Sequence, residues 1–406
     1  MAAALADMLI GTSALGLTLL GAVEDSPFNV PDFNFRFALL LSVGGLGTAF
    51  GSIYLSRLSD RFGRRPLILI GLFGLTASCL LFAASTRWWH LFAITVVRSG
   101  FMGMFWPGLE ARITDGFEGA EMTRRLGWFG ISFSLGLLLG YPISGLLHDS
   151  SPRTPFYLGA GIGAFLLTLL FVVFRRDGSH DGHVLDDSES SANHAEALPP
   201  RPIRRAFLLS AWIGNALSYA GAGVLRNLFP RFANLPTPDG LGLSGFEVGL
   251  VAAGTGMAML LTFVIFGGSH FWHYRYRYLI GGQMAMLAGA VMFAVVASMP
   301  MLIAGALIFG AGAGIIYISS IYYSLAGQAK RAGQSGLHEG ILCFGWCGGM
   351  LIVAFISRHV TAARTPFWTC AAILAAGALV QTAIYTTALK RSGEVDGYPD
   401  PGSELA

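Results

Sequence analysis

The sequence predicts an all-α membrane protein with twelve transmembrane helices, arranged as two pseudo-symmetric six-helix bundles. Three observations carry this reading. The 406 residues are 54% hydrophobic and only 12% charged, with mean hydropathy +0.61, which excludes a soluble core. Apolar stretches long enough to cross a hydrocarbon core of about 30 Å, at about 1.5 Å per helical residue, recur about twelve times. The second half of the chain also repeats the first.

The spans read as 5–23, 36–56, 66–85, 88–109, 125–147, 155–175, 205–229, 246–268, 277–297, 300–325, 335–357 and 365–388. Residues 1–6 carry no Lys or Arg, and the first apolar run continues to Val23 without a clean small-residue cleavage signal. That run is read as span 1 rather than as a signal peptide. The one long polar interruption, 176–204, is acidic and poor in apolar residues, and reads as a disordered cytoplasmic linker. Its His180, His183 and His194 could hold a metal loosely, but nothing fixes their geometry and a solvated linker is expected. The chain therefore divides into a bundle at 1–175, the linker at 176–204, a second bundle at 205–388 and a cytoplasmic tail at 389–406.

The repeat is visible in the glycines. Gly45, Gly47, Gly103, Gly127, Gly136 and Gly140 recur as Gly254, Gly256, Gly312, Gly336, Gly345 and Gly349, all at an offset of 209. Arg153-Thr-Pro-Phe156 then recurs as Arg364-Thr-Pro-Phe367 at an offset of 211. The chain's 54 glycines suit helices that pack closely in lipid, where small residues let backbones approach. Orientation follows from Lys and Arg. With both termini cytoplasmic, 18 of these residues lie in inner segments and at most 7 in outer ones, among them Arg226 and Arg231.

Between spans 2 and 3 lies Asp60-Arg61-Phe62-Gly63-Arg64-Arg65-Pro66, preceded by Arg57. Gly63 permits a reversal, and Pro66 suits the first turn of the next helix. The pattern resembles the signature loop between spans 2 and 3 of the major facilitator superfamily of secondary transporters, twelve-span type. Ser56 stands where that family has a Gly four residues before the Asp. A parallel repeat of six spans is also the family's architecture, so the resemblance extends over about 5–388.

The resemblance implies a transporter that moves a small organic solute by alternating access, through a path between the halves lined by spans 1, 4, 7 and 10. It implies a gate in which Asp60 sits near the start of span 11, around Gly333–Ser335. In that gate Arg61, Arg64 or Arg65 would reach an acid at the inner end of span 4, either Glu110 or Asp115. It also implies a monomer, with proton-coupled export ahead of uptake by symport or facilitated diffusion. The equivalent second-half loop, from Ser269 to Arg277, keeps Arg275 and Arg277 but lacks the Asp and Gly, so the gate is expected to be asymmetric.

Several polar residues inside spans are candidates for the mechanism. Arg98 sits about ten residues into span 4. It either couples protons, as the family's span-4 arginine motif suggests, or bonds to the carbonyls of a broken neighbouring helix. The family has a Gly four residues after that Arg, where this chain has Met102. Phe105 and Trp106 near it suggest an apolar wall, kinked at Pro107. Span 5 carries Gly140-Tyr141-Pro142-Ile143-Ser144-Gly145, similar to the family's exporter-associated element but with Tyr141 inserted; helix packing around a Pro kink accounts for it equally well. Asn215, Tyr219 and Arg226 return to one face of span 7, with Arg226 either lining the path or snorkelling to the interface. Tyr317, Ser320 and Ser324 form a similar stripe on span 10. His338 and Glu339 open span 11 and serve either coupling or gating. Elsewhere the acids avoid the midplane: Asp7, Glu110 and Glu247 fall near span ends, so the sequence offers no unambiguous buried carboxylate.

Other chemistries are weakly supported. No zinc-ligand helix, nucleophile elbow or paired intramembrane aspartates appear, so no enzyme and no cofactor are expected. Cys343 and Cys347 share a helix face, but no third ligand joins them and small core residues are the expectation. The net charge of +3 shows no basic stripe for nucleic acid. The expected partners are a small-molecule substrate, the lipid bilayer and protons. A transporter-like receptor is the remaining alternative, with no long soluble domain to support it.

Overall fold

The computed structural model describes residues 33–151, 153–176, 199–234, 240–328, 331–359 and 364–392. Among these there is no strand. Span 2 is α1 (Phe33–Phe50), a π-helical turn (Gly51–Leu55) and α2 (Ser56–Phe62). Then come α3 (Arg64–Ala83), α4 (Trp88–Thr114), α5 (Gly119–Ser150) and α6 (Thr154–Arg176). The second half holds α7 (Arg201–Asn227), the short α8 (Phe229–Asn234), α9 (Gly245–Gly267), α10 (Tyr276–Val295), α11 (Met299–Leu325), α12 (Arg331–His359) and α13 (Thr365–Ser392). Ten segments among the described residues are long and apolar enough to cross a membrane. The 27-residue α4 is equally long but carries Arg98, Glu110 and Arg112. Span 1 and the histidines at 180, 183 and 194 lie outside the described residues.

Two boundaries move. α7 starts at Arg201, inside the stretch read as linker, because Pro200 is extended (φ −50°, ψ 146°) and Pro202 stands in the first turn, where a missing N–H is harmless. α13 runs on to Ser392, into the stretch read as tail, because Ala388 is buried and Leu389 still packs on the core.

Between α2 and α3 the chain turns on Gly63 at φ +86°, a conformation that a side chain would strain. The loops after α2, α4, α9 and α11 gather at one end of the molecule. Arg64 there reaches Asp115 (Nη2 to Oδ1 3.1 Å), and His273 Nε2 lies 3.2 Å from Thr123 Oγ1. This is called the arginine-rich end below.

The two halves meet along two seams, α5 against α9 and span 2 against α12. The repeat-related Gly127 and Gly336 serve one on each. A Cβ on Gly127 would lie 2.6 Å from the Gly267 Cα, and one on Gly336 would lie 2.2 Å from the Ser52 carbonyl oxygen. Helix backbones approach this closely only where no side chain intervenes. Gly336→Val should therefore destabilise the protein by about 1–3 kcal/mol through overpacking. Gly333→Ala, with nothing within 4 Å of the new methyl, should not. Thermal unfolding in detergent compares the two.

Candidate functional site

α4 and α12 run antiparallel, so the end of one meets the start of the other at the arginine-rich end. Glu110 lies one turn before the end of α4, and Ser335, His338 and Glu339 occupy the first turns of α12. Glu110 is fully buried. Glu110 does lie near a span end, as the sequence suggests, and it is buried there because α11 and α12 close over the end of α4. Tyr317 Oη on α11 donates to Glu110 Oε1 at 2.9 Å, and Ser335 Oγ donates to Oε2. The Glu339 carboxyl faces the same group from the second half.

His338, also fully buried, has Nδ1 3.0 Å from Ser320 Oγ, and its ring meets the Tyr317 ring edge-on at 5.4 Å. Its Nε2 has no hydrogen-bond partner among the described residues and lies 3.8 Å from Glu339 Oε1. One donor atom each from Glu110, His338 and Glu339 falls within 4.8 Å of the others. Two carboxylates this close in an apolar setting repel strongly, so a proton or a small cation between them is what the arrangement accommodates. A shared proton turns the repulsion into a hydrogen bond.

Aromatic rings surround the cluster. Phe133 of α5 lies parallel to Tyr317, within 1° at 6.3 Å, while Tyr219 of α7 and Phe263 of α9 contact it at 6.4 and 6.1 Å. Trp106 meets Phe133 edge-on at 5.8 Å. The rings come from both halves.

These contacts sort the residues expected from sequence. Tyr317, Ser320, His338 and Glu339 come together, with Tyr219 and Trp106 beside them. Asn215, one turn from Tyr219, is fully buried with neither amide atom hydrogen-bonded among the described residues. Of the two acids proposed for the loop arginines, Asp115 meets Arg64, whereas Glu110 faces Tyr317 and Ser335. Arg65 donates to the Phe174 carbonyl at 3.3 Å, and the exposed Arg61 lies over the Phe62 ring. Arg98 is half-buried and lies twelve residues before Glu110 on the same helix, about 18 Å away, outside the cluster. Phe105 packs inside the first half, its Cβ 2.9 Å from where a Cβ on Gly71 of α3 would stand. The side chains of Asp60 and Arg226 lie outside the described residues.

Sequence reading named Ser335 only as part of the stretch facing Asp60, not as a donor to Glu110. It sits four residues before Glu339, and that spacing puts both on one face of α12. The second-half loop replaces the missing Asp and Gly with aromatic anchors. Trp272 donates to the Phe266 and Ser269 carbonyls at 2.8 and 3.0 Å. Tyr274, at φ +53°, donates its N–H to Tyr323 Oη at 2.9 Å. His273, at the repeat position of Arg64, stacks on Tyr322 and reaches Thr123 across the seam.

A pocket of about 500 Å³ opens between α4 and α5, bounded by Trp106, Leu109, Trp128 and Phe129. In the second half, Ala216 and Ala220 of α7 lie on Gly345 and Gly349. The four cysteines are buried, and Cys343 and Cys347 face Gly45 at the span 2–α12 seam.

Comparison with known proteins identifies the architecture. The sequence model of the Major Facilitator Superfamily matches residues 5–338. The chain belongs to the Major Facilitator Superfamily. It is therefore a multi-pass integral membrane protein of a family of transporters rather than enzymes.

Among its relatives in that superfamily, the class B tetracycline resistance protein of Escherichia coli is 29% identical over 230 residues, covering 50% of this chain and 56% of the relative. The class H tetracycline resistance protein of Pasteurella multocida is 35% identical over 140 residues, 34% of this chain and 35% of the relative. The quinolone resistance protein NorA of Staphylococcus aureus is 26% identical over 136 residues, 33% of this chain and 35% of the relative. The chain thus spans from about a third to a little over half the length of these curated relatives.

Two solved structures share the fold. The E. coli xylose transporter XylE, in a partially occluded inward-open conformation, aligns at TM-score 0.70 and 13% identity, over 94% of this chain and 96% of its own. The human organic anion transporter MFSD10 aligns at TM-score 0.65 and 16% identity, over 93% and 98%.

The two hydroxyl donors to Glu110 give a direct test of the site. Tyr317→Phe and Ser335→Ala should each destabilise the transporter by about 1–3 kcal/mol, because each leaves a buried carboxyl short of a partner. The double variant should depart from additivity, both hydroxyls serving one acceptor. Thermal unfolding of the three variants reads both effects.

Proposed function

We propose that this transporter exports a small amphipathic or anionic organic solute in exchange for protons, and that the Glu110–Glu339 pair carries the coupling proton. One observation supports the reading above all. Two buried carboxyls, one from each half, face each other across a contact that has to part whenever the arginine-rich end opens. The 18-to-7 bias of Lys and Arg supports taking that end, and both termini, as cytoplasmic, in a bacterial-type plasma membrane.

With the halves together, the pair is stable while it holds a proton. Loss of the proton leaves two charges within 4.8 Å, repelling by roughly 3 kcal/mol at an effective dielectric of about 20. That repulsion favours separation, which hydrates each carboxylate and opens the path to the cytoplasm. Protonation from the far side favours closure. The proton state therefore biases the alternating-access equilibrium by differential stabilisation of its two end states. Tyr317, Ser335 and His338, with Tyr219 beyond Tyr317, are the groups facing the pair. They set how readily it gives the proton up.

The aromatic rings around Tyr317 suit a solute with flat apolar surface. Arg98, Asn215 and Arg226 are the candidates for its polar or anionic part. Export is supported by the relatives named for tetracycline and quinolone resistance. A monomer suffices, since both carboxyls belong to one chain.

The test is transport by purified protein in liposomes carrying a lumenal pH dye, with tetracyclines and quinolones first in a broad solute panel. Wild type should show solute-dependent proton flux. Glu110→Gln and Glu339→Gln should reduce it to background. Glu247→Gln, in an exposed capping box with Ser244, should leave it unchanged. Solute movement driven by sodium, or unaffected by a proton gradient, would overturn the coupling. Solute movement with Glu110→Gln and Glu339→Gln fully coupled would overturn the site.

A further inference from the structure

One buried cation bridges the same two helices and takes no part in the acid cluster. Arg331, the first residue of α12, has a side chain only 7% exposed. Its Nη1 donates to the carbonyl oxygens of Thr114 and of Phe117 (2.7 Å for the latter), and its Nη2 pairs with the Glu118 carboxylate. All three acceptors belong to the first half. Glu118 also accepts from the Gly327 N–H at 3.5 Å, so the acid is held from the loop before α12 as well. Thr114 is the last residue of α4, and its carbonyl, which also accepts from the Phe117 N–H at 3.2 Å, lies at the negative end of the helix dipole; the Phe117 carbonyl belongs to the loop beyond. A guanidinium can reach both carbonyls and the Glu118 carboxylate at once, whereas an ammonium presents a single point of charge.

The spacing connects this clamp to the acid pair. Arg331, Ser335 and Glu339 stand four residues apart on α12, and Glu110 and Thr114 stand four apart on α4. The two helices therefore meet in a ladder: Arg331 on Thr114, then Ser335 on Glu110, then Glu339 facing Glu110. Thr114 Oγ1 also donates to the Glu110 carbonyl at 2.9 Å, which joins the two rungs on the α4 side. The last rung sets two carboxyls face to face, with His338 Nε2 3.8 Å from Glu339 Oε1, and stands about two turns along α12 from the first.

We infer that Arg331 is a positioning residue of the transport cycle: by tying the end of α4 to the start of α12 it sets the register that brings Glu110 to Ser335 and Glu339, and its release opens the arginine-rich end. The role in coupling rests on the proposed function of the acid pair. The role in closure does not.

Cys343, one turn beyond Glu339 and buried, reports on closure. In membrane vesicles with the arginine-rich end outward, a membrane-impermeant thiol reagent is applied and labelling is read peptide by peptide by mass spectrometry. Cys79, buried inside the first half, is the internal reference. Arg331→Gln should raise the labelling rate of Cys343 by about tenfold relative to Cys79, the scale of a favourable, partly buried charge at a helix C-terminus. Arg331→Lys should fall between Arg331→Gln and wild type, and Glu118→Gln should give a smaller rise.

In liposomes, Arg331→Gln should pass protons without solute, while Arg331→Lys recovers part of the coupling. A general loss of structure would raise Cys79 labelling together with Cys343 and would show no recovery with Lys. That result, or wild-type labelling in all three folded variants, overturns the inference. If wild type moves no protons with solute, the proposed coupling fails, yet the contrast in Cys343 labelling still decides whether Arg331 holds the end closed.

Discussion

Glu110 is a carboxyl group buried between the two halves, in a setting that solvates no isolated charge. Everything near it answers that constraint. Tyr317 and Ser335 donate to its two oxygens, Glu339 faces it, and the end of α4 that carries it is clamped by Arg331. Remove the burial and the pair would be two solvated acids. The closeness of the halves keeps water from them.

That closeness comes from the glycines at the seams. Gly127 against Gly267, and Gly336 against Ser52 and Ser56, let α5 meet α9 and span 2 meet α12 with almost no side chain between them. Contacts of this kind are bistable rather than soft, because close-packed surfaces either fit or part. The two halves have kept the glycine positions of the repeat while diverging in how their loops close. Arg64 pairs with Asp115 within the first half. At the matching position His273 stacks on Tyr322 and reaches Thr123 of the other half. The asymmetry expected from the lost Asp and Gly thus has a physical form: an ion pair on one side, a nest of aromatic rings on the other.

Much of the fold was legible in the sequence because its signals are local or periodic. Run length, the Arg and Lys bias and the offset of 209 need no knowledge of which helices touch. The Asp60–Arg65 loop identified the family for the same reason, its chemistry being contained in a few consecutive residues. His338 and Glu339 drew notice as charges inside a span, set either to coupling or to a gate, but Glu110 was not named as their partner.

What the sequence by itself determined was an all-α membrane architecture, its repeat, and a short set of polar residues that a bilayer would not tolerate idle. Tertiary structure alone decided which of them meet. Glu110 looks peripheral when counted along α4, and it is buried only because α11 and α12 cover the end of that helix. Phe105 looks like a neighbour of the path, yet turns into α3. Arg331 looks like one more positive residue in an inner loop, yet its guanidinium holds the end of α4. Each depends on contacts between residues more than thirty positions apart, Glu110 and Arg331 on contacts more than two hundred apart, and no periodicity within a helix encodes its partner across a seam.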